Sequence, residues 1–70
     1  MSFTLRPHCR YRPRKPRMVA RITIAVGNGM VRFYPEGQPQ RVIEQTEGDF
    51  RTWAEVAGVS RGVVLRDIPA

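Results

Sequence analysis

The chain has almost none of the residues from which small proteins build staples. Its 70 residues include one cysteine and one histidine. A single thiol cannot close an intramolecular disulfide, which fits a reducing compartment. Cys9 adjoins His8, and two ligands fall short of the four that a structural zinc site takes from its chain. Both are therefore read as ordinary members of their segment, and neither a metal nor any other cofactor is expected. No apolar run reaches the length of a membrane span, and the N-terminus lacks the apolar core of a signal peptide. Arginines without acids also suit a mitochondrial transit peptide, but Pro7, Pro13 and Pro16 exclude the amphipathic helix that such a peptide needs. The expectation is a cytoplasmic protein of a bacterium or a bacterial virus, without membrane association. Catalytic groupings are missing too. The lone cysteine and histidine have no positioned partner, and Glu44 and Glu47 are spaced like a solvated face. Gly27-Asn28-Gly29 lacks the length and the lysine of a phosphate-cradling loop. The chain does not read as an enzyme.

What is present is positive charge, concentrated in one place. Arg6, Arg10, Arg12, Arg14, Lys15 and Arg17 are six cations with no acid among them, whereas from Met18 onward six arginines balance six acids. The formal net charge of +6 is thus the property of the first seventeen residues. Prolines in that stretch favour extended, polyproline-like backbone, so residues 1–17 are expected to form an extended basic arm and residues 18–70 a small domain. At polyproline rise the run from Arg6 to Arg17 would reach about 35–40 Å. Tyr11 lies inside it, where its ring is a candidate for stacking on a base. Met18, directly after the arm, is an alternative initiator.

The domain reads as α+β. Val19 to Val26 alternates, with Ala20, Ile22, Ile24 and Val26 on one face and Arg21 and Thr23 on the other, the pattern of a half-buried strand. Asn28-Gly29 favours a tight hairpin turn, and Met30 to Tyr34 is the return strand. A weaker third strand is expected over 41–46. Phe50, Trp53, Ala54 and Ala57 then fall at i, i+3, i+4 and i+7, a helical stripe over about 49–57. Two start signals compete, Asp49 as a cap and Thr52…Glu55 as a capping box, and Gly58 ends the helix. Gly62 to Ile68 then reads as a C-terminal strand. The expected core comprises Ile22, Ile24, Val26, Phe33, Trp53, Ala57 and Val64. Tyr34 is expected to point outward beside Arg32.

The same tail has a second reading. Thr52-Trp-Ala-Glu-Val-Ala-Gly-Val-Ser-Arg61, within residues 50–68, resembles the first helix and turn of the helix-turn-helix motif of DNA-binding regulators. That resemblance implies Ala54 at the helix crossing, Gly58 and Val59 in the turn, Ser60 as cap of a recognition helix and Val64 against the first helix. Arg61, Gly62 and Leu65 would then approach the major groove, Arg61 as the base or phosphate contact. Asp67 stands where the motif takes an apolar residue, and Gly62-Val63-Val64 is a poor helix nucleus. Strand and second helix both stay open on the sequence.

The expected function is that of a small nucleic-acid-binding accessory or regulatory protein, with DNA ahead of RNA. Arg6, Arg10, Tyr11, Arg12, Arg14, Lys15, Arg17 and Arg61 are its candidate contacts. The alternative is a protein-binding module, an inhibitor or adaptor that docks on a larger enzyme. A body of about fifty residues buries little surface, so a homodimer or a larger partner would stabilise it.

Overall fold

Asn28 and Gly29 take φ values of 53° and 75°, the paired positive φ of a type I′ turn, whose twist matches the strands it joins. They connect β2 (Arg21–Gly27) to β3 (Met30–Pro35) as the expected antiparallel hairpin. The third strand is shorter than its sequence pattern, Ile43–Thr46 (β4), and lies at the sheet edge beside β3. The chain is described here over residues 3–65 by a computed structural model. Within it a five-stranded antiparallel sheet carries one helix, an α+β fold.

The helix α1 spans Glu47–Ala57 and starts earlier than either sequence signal placed it. Thr46 is the N-cap, its Oγ1 accepting the Asp49 N–H at 3.1 Å, while Glu47 and Asp49 set negative charge against the positive end of the helix. Thr52 caps nothing and donates back to the Gly48 carbonyl. Gly58 ends the helix at φ 80°, with N–H bonds to the last turn.

The main departure concerns the arm. Cys9–Tyr11 forms β1, an inner strand paired with β2 on one side and with β5 (Gly62–Val64) on the other, giving the order β4-β3-β2-β1-β5. The strand alternative for the tail is therefore the one observed. Residues 62–64 are bonded into a sheet and form no recognition helix, and Asp67 and Ile68 lie outside the described residues.

One buried threonine ties the N-terminal segment in. The Thr23 hydroxyl accepts the Cys9 N–H at 3.1 Å and donates to the Arg6 carbonyl at 2.6 Å. The Thr23 carbonyl in turn accepts the His8 N–H at 2.8 Å. Cys9 and Tyr11 are thereby driven into the core with Leu5, Val31, Phe33, Phe50, Ala54, Ala57 and Val59. At the centre, the Phe50 ring meets Tyr11 and Phe33 edge-on at 5.5 and 5.3 Å, the favoured aromatic geometry. A Cβ at Gly62 would stand 2.5 Å from Tyr11 Cε1, so only glycine lets β5 lie over that ring.

The expected facing of β2 is largely reversed. Thr23 is buried opposite Phe33, and Arg21 turns toward the helix, whereas Ile22 and Ile24 are only half-buried. A register shift between Thr23 and Ala25 makes Ile24 the extra residue of a bulge, and beyond it Val26 packs against the core. Of the other expected core residues Phe33 and Ala57 are buried, Trp53 is partly so, and Val64 is 59% exposed.

Candidate nucleic-acid interface

The segment 12–20 joins β1 to β2 and carries four of the candidate cations. It is anchored at both ends. Tyr11 and Pro13 are buried on one side and Ala20 on the other. The Arg14 N–H donates to the Ala57 carbonyl at 2.9 Å, supplying one of the partners that the last turn of a helix lacks. The Met18 N–H closes a turn onto the Lys15 carbonyl at 3.2 Å. Arg12, Arg14, Lys15 and Arg17 are exposed on this anchored loop. Among the described residues none of the four lies within ion-pair distance of a carboxylate.

The remaining candidates divide. Arg10 is committed elsewhere: its Nη2 donates to Glu36 Oε1 at 2.9 Å, and its buried Nε, which makes no hydrogen bond, lies within ion-pair distance of Oε2 at 2.8 Å. Arg6 and Arg61 are exposed and line one open groove of about 340 Å³, on the far side of β1 from its pairing with β2. Arg61 thus lies beside Arg6 in this groove, without a recognition helix. Tyr11 is a correction. Its ring is wholly buried, its hydroxyl donates to the Thr4 carbonyl at 3.2 Å and accepts the Arg6 N–H at 3.0 Å, and no base can reach it. Burial pushes that hydroxyl above its ordinary pKa of 10.0, with the Arg6 bond opposing.

The sequence did not single out Arg21 or Arg41. Arg21 Cζ sits 4.0 Å from the Trp53 ring centroid and 4.5 Å from that of Phe33, and its Nη1 donates to Gln45 Oε1 at 3.1 Å. Burial pulls its pKa down to about 10, which leaves it a cation at neutral pH. The wider signal was available: the chain has no acid before Glu36, so Arg21 begins its strand without a local counter-charge.

On the open face of the sheet, register sets Val63, Arg10, Ile22 and Tyr34 in one cross-strand row. Tyr34 is half-buried on the side opposite Phe33, as expected. No described group of three or more His, Cys, Asp or Glu could hold a metal ion. No described helix is long and apolar enough to cross a membrane. Comparison with known proteins found no matching family model, no matching curated protein and no matching solved structure.

Proposed function

We propose that this protein binds nucleic acid through the phosphate backbone, with the β1–β2 loop as its grip, as a small accessory or regulatory factor. The observation that supports this most is the display of Arg12, Arg14, Lys15 and Arg17 on an anchored loop without a carboxylate partner among the described residues. Anchoring matters because a fixed loop loses little conformational entropy on binding, whereas a free strap must be ordered by its ligand. Four cations on duplex phosphates predict a fall of log affinity with log salt of slope about −3.6, at about −0.9 per contact.

The loop can be tested without disturbing the core. Replacing Arg12, Lys15 and Arg17 together by glutamine leaves Arg14, whose stem packs on Gly58, in place. Fluorescence anisotropy with labelled duplex DNA and with a structured RNA should show the triple variant losing about 2.7 from the salt slope. Equal affinity and equal slope for variant and parent would end the proposal. A preference for duplex DNA is the expected order, and a preference for the RNA would assign the loop to RNA instead.

One feature favours the alternative of protein docking. The edge strand β5 exposes Val63 and Val64, 55% and 59% accessible, beside an outer edge that pairs with no other strand among the described residues, the kind that adds a partner's strand. That reading expects Val63→Lys to break a complex with a partner protein while leaving the salt-dependent binding of DNA unchanged.

A further inference from the structure

Behind the end of the basic loop, on the helix side of the sheet, Met18, Val19, Arg21, Arg41, Ile43 and Trp53 line an open groove of about 240 Å³. Its two charged residues are both arginines. Arg21 is held between Trp53 and Phe33, and its bond to Gln45 is its one side-chain hydrogen bond among the described residues. Arg41 is exposed and makes a single long bond, 3.4 Å, to Gln38 Oε1. Neither has a carboxylate within ion-pair distance among the described residues. A guanidinium has five N–H donors, so most of the donors in this groove are unspent.

A half-buried cation pressed between aromatic rings has given up part of its hydration, and cation–π attraction returns only part of that. An anion in the groove would restore the rest. Two guanidinium forks match the tetrahedral oxygens and double charge of a phosphate monoester better than a single-charged diester or carboxylate. The apolar walls formed by Val19, Ile43 and Met18 suit a small apolar or planar group attached to it. We propose that the Arg21–Arg41 groove is a binding site for a phosphate monoester, separate from the backbone grip of the basic loop.

Trp53 is the only tryptophan of the chain, and Arg21 lies on its ring, so its emission reports the site directly. The full chain is titrated at constant ionic strength with inorganic phosphate, phenyl phosphate and a pair of short single strands that differ only in a 5′-phosphate. Phenyl phosphate is expected to give a saturable change in Trp53 emission and to bind tighter than inorganic phosphate. The phosphorylated strand should respond and the unphosphorylated one should not, unless the monoester in nature is a small molecule, in which case phenyl phosphate alone saturates. Arg41→Gln, at an exposed position, should weaken phenyl phosphate by about tenfold, the scale of one lost charge-assisted bond. The triple glutamine variant of the basic loop should bind phenyl phosphate like the parent, which separates this site from the nucleic-acid grip. No saturable change with phenyl phosphate, a change that follows ionic strength alone, one unaffected by Arg41→Gln, or equal saturable responses to both strands would overturn the proposal.

Discussion

Thr23 shows how much a single side chain can decide. Its hydroxyl accepts the Cys9 N–H and donates to the Arg6 carbonyl at 2.6 Å, with the Cys9 carbonyl a longer alternative acceptor at 3.3 Å. Thr23→Val keeps the shape and orphans the Cys9 N–H and the Arg6 carbonyl, a loss of about 1–3 kcal/mol for buried polar atoms left without partners. Urea unfolding should register that loss, and Thr23→Ser, which retains the hydroxyl, should recover most of it. Tyr11 makes a second residue-scale case. Its folded pKa is raised by burial, so it stabilises the fold fully below the unfolded value and loses that contribution as the pH climbs above about 10. The unfolded chain releases the phenolic proton first, and the fold weakens. Tyr11→Phe cannot ionise there. It should begin about 1 kcal/mol less stable through its lost hydrogen bonds, and the gap to the parent should narrow as the pH rises above about 10. A constant gap in urea midpoints across that range would mean that the ring hydroxyl is not buried in solution.

At the scale of elements, what could be read from the sequence was whatever rested on local chemistry. Asn28-Gly29 announces a turn by its tolerance of positive φ, and Phe50, Trp53, Ala54 and Ala57 announce a helix face by spacing alone. Gly58 marks the helix end in the same way. What depended on distant partners was hidden. Three residues of β1 are too few to show period two among prolines and arginines, so Cys9-Arg10-Tyr11 read as arm although it alternates in, half-out and in. In β2 the bulge at Ile24 and the inward use of Thr23 reversed a clean alternation. The basic surface was legible as composition. Which of its cations are free was not, because Arg10 is spent on Glu36, 26 residues away. The helix start makes the same point: Thr46 belongs to β4 and caps α1 at once, a double duty that hid it behind Asp49 and Thr52. Thr46→Ala should therefore cost about 1 kcal/mol in thermal or urea unfolding, whereas Thr52→Ala should cost far less. The reverse order would place the cap where the sequence first suggested it.

At the scale of the whole molecule, the charged segment and the core are the same piece of chain. The radius of gyration is 11.4 Å, against about 11 Å for a compact chain of this length, so no strap of 35–40 Å extends from the described body. The first seventeen residues supply Leu5, Cys9, Tyr11 and Pro13 to the interior and the only strand that bridges β2 to β5. Removing them is consequently a test of folding, not of electrostatics. A fragment of residues 18–70 keeps the β2–β3 hairpin, β4 and α1 but exposes Phe50 and strands β5 without a partner. In a domain this small, losing that burial exceeds a marginal net stability. Far-UV circular dichroism and amide NMR dispersion of the fragment should show a largely unfolded chain, while the full chain with Arg12, Lys15 and Arg17 neutralised stays folded. A well-dispersed fragment with the hairpin register intact would mean that the body stands alone and that β1 is an accessory to it. An unfolded fragment, by contrast, ties the exposed cations of the β1–β2 loop and the integrity of the core to one segment.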